Sequence, residues 1–384
     1  MIERDLKAVL LQRAREFPVV TVTGPRQSGK TTLVRDAFPG HAYANLEDPE
    51  TRELAAGDYH RFLATFPPPV IIDEIQRVPD LASAIQVAVD ANRAAKGAFI
   101  LTGSCQPGLK RAVSQSLAGR SAFLKLLPLS FAEQLRVLPM SEMTVDACIL
   151  RGSMPELAAG VPPPPAYYRN YLQAYLERDV RQVGEIRQMG AFNRFLVLLA
   201  GRVGQLLNLN SLSDEVGASH TTLAGWLDAL EASFIVFRLR PYHANVSKRM
   251  VKTPKVYFYE TGLAACLLGL KTVEQVSHDP LRGSLFENLV VTDLLKRALN
   301  QDEEGDLFFF RTSDGHEVDV VRRRQVGWQP IEIKSAETYS DALLRGLEKF
   351  RRLVPNTVEP TLLYAGKTLS GAAPARVANF LDFD

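Results

Sequence analysis

At 384 residues the chain is too long for one ordinary hydrophobic core, so two or three domains are expected. It is 46% hydrophobic and 23% charged with a net charge of +2, the composition of a soluble globular protein. That balance excludes a polycation, so any nucleic-acid contact has to come from a local patch. No run of about 18 apolar residues is present, and no membrane partner is expected. The start, Met1-Ile2-Glu3-Arg4-Asp5, lacks the apolar stretch of a signal peptide. Cys105, Cys148 and Cys266 are too scattered for a metal-ligand or disulfide pattern, which suits a cytoplasmic chain.

Residues 1–16 read as an amphipathic helix with Leu6, Val9, Leu10 and Leu11 as its stripe, stopped by Pro18. Val19-Val20-Thr21-Val22-Thr23 reads as a strand, as do residues 41–46, 70–72, 98–101 and 123–127. Helical stretches around 49–64 and 80–95 separate them. This alternation predicts a parallel sheet covered on both faces. After residue 135 the strand signal fades. Pro162-Pro163-Pro164-Pro165 is expected to be a stiff connector, and residues 166–235 to be mostly helical. From residue 281 the order becomes helix, three strands, helix.

Gly24-Pro25-Arg26-Gln27-Ser28-Gly29-Lys30-Thr31 fits G-x-x-x-x-G-K-[ST] between a strand and a helix. Glycines let backbone N–H groups converge on phosphate oxygens, and the following helix points its positive end at them. Lys30 is expected on the β- and γ-phosphates and the Thr31 hydroxyl on Mg²⁺; Thr32 completes the nucleotide-binding segment. Asp73 and Glu74 close an apolar strand downstream. The first is expected to hold Mg²⁺ and the second to polarise the attacking water. ATP and Mg²⁺ are therefore the expected ligands.

The strand at 41–46 separates the two motifs in the sequence. That arrangement, with the glutamate, resembles the additional-strand division of P-loop ATPases, which includes the AAA+ ATPases. The resemblance implies a polar γ-phosphate sensor at the end of the next strand, Ser104 or Thr102. Arg120 is either an arginine finger acting across a homo-oligomer interface or a solvated arginine at a helix end.

Residues 212–231 read as helix–turn–helix: a short helix ends at Gly217, Ser219 caps the next, and Leu223, Trp226, Leu227 and Leu230 form its buried stripe. Strands at 234–239 and 256–259 then make a wing around a basic stretch, Arg238, Arg240, Lys248, Arg249, Lys252 and Lys255. Lys248, Arg249 and Lys252 are candidate DNA-phosphate contacts. The second helix offers no arginine for bases, so the contact would not be sequence-specific.

Period-two alternation puts Glu332 and Lys334 on one strand face. Asp319, on a strand before them, comes close if the chain turns between 324 and 327. Two carboxylates and a lysine converging there would make a Mg²⁺ site able to activate water against a phosphodiester. This pattern resembles the PD-(D/E)-x-K nuclease superfamily. The resemblance implies Asp319 and Glu332 as metal ligands, Lys334 as the water-orienting residue and Glu287 as a helix-borne acid. A charged strand with salt bridges is the competing reading.

Taken with residues 24–33, 45–48, 71–76, 101–104, 117–120, 128–131, 253–268 and 311–335, the chain resembles a prokaryotic family of AAA-type ATPases with a C-terminal domain of unknown function. The resemblance implies an α/β protein. Residues 1–135 would be an AAA+ type P-loop domain with a parallel sheet, 136–190 a helical connector, 191–275 a winged helix, and 276–384 a restriction-endonuclease-like α/β domain. The expected function is Mg²⁺-dependent ATP hydrolysis coupled to DNA binding or remodelling, with a candidate nuclease. The alternative is a nucleotide-dependent switch or scaffold that works through protein partners with an inert nuclease-like module.

Overall fold

The computed structural model describes residues 2–104, 116–160, 162–176, 188–242, 251–303, 305–371 and 374–383. Helix α1 (Leu6–Glu16) leads into β1 (Val19–Thr23) and α2 (Lys30–Ala37). Then come β2 (Ala42–Asn45), α3 (Pro49–Gly57), α4 (Tyr59–Thr65) and β3 (Val70–Asp73). The unit closes with α5 (Leu81–Ala91), β4 (Phe99–Gly103) and β5 (Ser121–Lys125). The strands form one parallel sheet in the order β2-β3-β4-β1-β5. Its central strands are Val/Ile/Leu-rich because helices cover both faces, so nearly every position is buried. Strand β4 lies between β1 and β3, so the phosphate-loop strand and the Asp73 strand are not neighbours.

The middle is helical: α6 (Phe131–Leu135), α7 (Val145–Arg151), α8 (Pro155–Ala158) and α9 (Pro164–Tyr171). The proline run is only partly a connector. Pro163 is extended, but Pro164 and Pro165 open α9, because the first turn of a helix needs no N–H from them. Helices α10 (Met189–Ala200), α11 (Leu209–Val216) and α12 (His220–Ala232) follow. Gly217 turns the chain in the left-handed conformation and the Ser219 hydroxyl accepts from Thr222 N–H.

Strands β6 (Val236–Pro241) and β7 (Lys255–Phe258) pair antiparallel. Beyond them lie α13 (Thr261–Leu267), α14 (Val273–His278) and the long α15 (Arg282–Asn300). The chain ends in β8 (Leu307–Arg311), β9 (Glu317–Arg324), β10 (Gly327–Lys334), α16 (Arg345–Leu353), β11 (Thr361–Tyr364) and β12 (Arg376–Asn379). These strands do not form a sheet of their own. One seven-stranded sheet runs β12-β11-β10-β9-β8-β6-β7, so it crosses the expected boundary at 275/276. Parallel pairing of Arg240 with Phe308 and Pro241 with Phe309 makes the join. No described helix is long and apolar enough to cross a membrane.

Candidate functional site

The phosphate loop leaves β1 and enters α2 as the sequence predicts. Gly24 is obligatory: a Cβ there would lie 2.1 Å from the Leu126 carbonyl oxygen. Gln27 and Gly29 have positive φ, which curls the loop. Ser28 Oγ donates to Pro25 O at 2.9 Å and is fully buried. Lys30 is 6% exposed, and its ammonium donates to the loop carbonyls of Gly24 (3.1 Å) and Pro25 (2.7 Å). Thr32 lines an open cleft of about 650 Å³ beside the loop with Thr31, Arg35 and Tyr43. Arg26 is half-buried in the loop.

Asp73, at the end of β3, gathers three hydroxyls. Thr31 Oγ1 donates to its Oδ2 at 2.8 Å, Tyr43 OH donates to the same oxygen at 2.8 Å, and Thr102 Oγ1 donates to Oδ1. Burial and the Asp73 carboxylate push the Tyr43 phenol well above its ordinary range, so it stays a donor. Glu74 takes the left-handed conformation, φ 59°. For a non-glycine residue this is a strained position of the kind found at functional sites. Its carboxylate accepts from Gln76 Nε2, which also donates to Ser104 Oγ at 3.0 Å. Gln76 thus bridges the expected water-activating and sensing residues.

Arg120 does not join this group. It precedes β5, whose Ser121 pairs with Val19, while the phosphate loop follows Thr23 at the other end of the sheet. There its guanidinium forks onto Asp90, Nε to Oδ1 and Nη2 to Oδ2, both at 2.9 Å. Arg120 and then Arg93 hold the Asp90 carboxyl down at about 2.

Two residues that no motif announces support the loop from behind. Buried Arg4 donates to Ser28 O and Leu127 O, both at 2.7 Å, and to Glu133 Oε1 at 2.9 Å. Glu133 in turn closes a capping box on Ser130, and the next N–H, of Phe131, donates to Asp293 of α15 at 2.6 Å. Tyr167 of α9 donates to Gln27 Oε1 at 2.5 Å. A third buried group, Lys296 of α15, donates to Leu129 O (3.2 Å) and Ser153 Oγ (2.6 Å). Burial holds its pKa below the ordinary lysine range.

The basic stretch is divided. Arg238 is neutralised by Glu231 and by Asp228 at 2.9 Å. Lys255 is buried, Arg240 and Lys252 are exposed, and Lys248 and Arg249 lie outside the described residues. The exposed face of α12 carries His220, Thr221, Thr222, Gly225 and Asp228, with no cation.

In the last sheet, β9 and β10 form the expected hairpin, with Arg324 opposite Gly327. Lys334 Nζ meets Glu332 Oε1 at 2.7 Å and Asp319 Oδ2 at 3.2 Å. Glu287 of α15 reaches the same cluster, but its hydrogen bonds come from Lys255 Nζ (2.9 Å) and Tyr257 OH (2.5 Å) of β7. Burial, then Asp319, raises the Glu287 and Glu332 carboxyls, Glu332 to about 8.

Residues 16–135 match the family model of an AAA domain. Residues 143–274 and 282–375 match two domains of unknown function, DUF8612 and DUF4143. An uncharacterized protein of Mycobacterium tuberculosis, Rv2008c, is 32% identical over 346 residues, 88% of this chain and 76% of its own. An uncharacterized protein of Haemophilus influenzae is 24% identical over 358 residues, 84% of each chain. Among solved structures, the Walker-type ATPase PABY2304 of Pyrococcus abyssi is 15% identical and covers 70% of this chain and 96% of its own, with TM-score 0.43. The Thermotoga maritima RuvB Holliday junction branch migration motor is 17% identical over 62% and 90%, with TM-score 0.33. The N-terminal unit is a P-loop AAA-type ATPase domain, and a further α/β sheet follows it.

Proposed function

The chain belongs to one family with the mycobacterial uncharacterized protein, and from the AAA domain it carries we propose that it hydrolyses ATP with Mg²⁺ and uses the cycle as a nucleotide-dependent switch. The observation that carries this reading is the 2.8 Å hydrogen bond from Thr31 Oγ1 to Asp73 Oδ2. A hydroxyl at the head of α2 and a carboxylate at the end of a buried strand meet at one point. Both are hard oxygen donors, the type that suits Mg²⁺, so these residues fit the ion. Bound Mg²⁺ would neutralise charge on the phosphates.

The backbone from Gly24 to Thr32 would cradle the phosphates, with the N-terminus of α2 adding positive potential. Lys30 would exchange its carbonyl contacts for phosphate oxygens. Glu74 would accept the proton of the attacking water, held by Gln76, with Ser104 reporting the γ-phosphate. Arg120 could serve only the site of a second copy, so that role carries a homo-oligomer with it.

The switch reading is supported by the connections behind the loop. Ser28 is linked through Arg4, Glu133 and the start of α6 to Asp293, and Gln27 is linked to α9. A shift of the loop on nucleotide exchange would strain the buried, charge-assisted hydrogen bonds of Arg4 and Asp293 toward α15 and the neutral hydrogen bond to α9. A second reading keeps DNA as the effector. It is favoured by the helix–turn–helix of α11 and α12 and by exposed Arg240 and Lys252 in the stretch that follows it in sequence.

The test is ATP turnover with Mg²⁺, alone and with single-stranded, duplex and branched DNA, for the natural chain and Lys30→Ala. Turnover that needs Lys30 and ignores every DNA supports the switch. A several-fold rise with one DNA form makes DNA the effector. No turnover above the Lys30→Ala background overturns the ATPase reading.

A further inference from the structure

The nuclease resemblance implies a divalent metal among Glu287, Asp319 and Glu332, and the residues present do not fit one. Such an ion needs carboxylate oxygens free to converge on it and room for waters. Here a lysine already holds one oxygen of each, although buried Glu332 Oε2 has no hydrogen-bond partner among the described residues. Lys255 Nζ lies 2.9 Å from Glu287 Oε1 and 2.5 Å from Glu317 Oε1. Asp319 Oδ2 accepts from Ile333 N–H at 2.8 Å as well as from Lys334. Arg311 Nη1 sits 3.0 Å from Glu317 Oε2. Four carboxylates thus meet three cations.

Two glycines bring backbone close to these acids. A Cβ at Gly204 would lie 3.4 Å from Glu287 Oε1, and one at Gly346 would lie 3.0 Å from Glu332 Oε2. Lys255 is 2% exposed, and its ammonium is 5.7 Å from the centre of the Phe309 ring. Tyr257, two residues along β7, shares its face and donates to the same Glu287 oxygen. Among the described residues no group of three His, Cys, Asp or Glu is arranged to hold a metal.

We infer that Lys255 is a built-in cation that takes the place of a divalent metal, so that the C-terminal module is a closed charge centre that does not cleave phosphodiesters. A tethered ammonium neutralises buried carboxylates without dissociating, and unpaired carboxylates there would be costly. It also fastens β7, and with it the helical middle, to α15 and β9. The inference goes beyond the ATPase reading and does not depend on it.

The experiment is a Mn²⁺ titration of the full chain without nucleotide, followed by electron paramagnetic resonance. Asp73→Asn is present throughout, to remove the carboxylate expected to hold metal at the ATP site. The expected result is that adding Asp319→Asn changes nothing, whereas Lys255→Met creates one Mn²⁺ site that Asp319→Asn removes again. Two results overturn the proposal: Mn²⁺ bound by the Asp73→Asn chain and released by Asp319→Asn, or a cooperatively folded Lys255→Met chain that gains no site. Should Lys255→Met fail to fold, the first comparison decides. Mn²⁺-dependent cutting of DNA that survives Asp73→Asn and is lost in Asp319→Asn would overturn it as well.

Discussion

The phosphate loop and the carboxylate centre are each built around a buried lysine, and they differ in what faces the ammonium. Lys30 rests on two neutral carbonyls of its own loop. Lys255 rests on two carboxylates from other elements. A hydrogen bond from an ammonium to a neutral carbonyl is worth about 1.5–3 kcal/mol net, which an anionic phosphate can outcompete. Breaking a buried ion pair by removing one partner costs roughly 3–5 kcal/mol, so that contact stays. On the proposed reading, the same side chain would be a ligand hook in one place and a fastener in the other.

The strongest way to break this comparison is through turnover. Glu74→Gln should lower ATP hydrolysis by about 10²–10⁴-fold while binding of a fluorescent ATP analogue persists. A loss below tenfold would put water activation elsewhere. Stability comes next. In denaturant melts, Lys255→Ala should cost roughly 3–5 kcal/mol, because Glu287 loses its ammonium and Glu317 keeps only Arg311. Lys30→Ala should cost less, roughly 1.5–3 kcal/mol, yet abolish nucleotide binding. Equal costs would erase the distinction.

A smaller effect tests Tyr43. Losing its hydrogen bond to Asp73, worth about 1 kcal/mol, should raise the Mg²⁺ needed for half-maximal turnover roughly fivefold in Tyr43→Phe. Nucleotide affinity measured without Mg²⁺ should not move. A last test is in pH. Burial and Asp319 raise the Glu332 carboxyl from about 4.5 to about 8, so the folded chain binds a proton that the unfolded chain releases between those values. The contribution of Glu332 to stability therefore falls as pH rises through that window. The melting temperature of Glu332→Gln should gain on the natural chain from pH about 5 to about 8, and a flat difference would mean the carboxyl is ionised throughout.

What the sequence made legible is what local chemistry determines. A β-branched run, a glycine loop and a helix are contiguous, so the phosphate loop and its strand were readable, as was Asp73 at the end of Val-Ile-Ile. Glu332 and Lys334 share a face by alternation alone. Arg4, Tyr43 and Tyr167 were not readable: their partners lie 24 to 140 positions away, and nothing local marks them. Lys255 was read with the basic stretch because charge runs usually face water. The clue against that was its place at the head of Val-Tyr-Phe, a strand buried on both faces. The shared sheet was equally hidden, since pairing of β6 with β8 involves only two positions on each strand.

That shared sheet limits how freely the parts of this chain can be exchanged between relatives. Family models divide it between residues 274 and 282, and a graft cut there would carry β8 away from β6. The transplanted piece would then display a naked strand edge, an invitation to self-association. It would also lack Lys255, leaving Glu287 without its ammonium. The smallest unit that can be moved whole begins before β6, so the hairpin and the last sheet are inherited together.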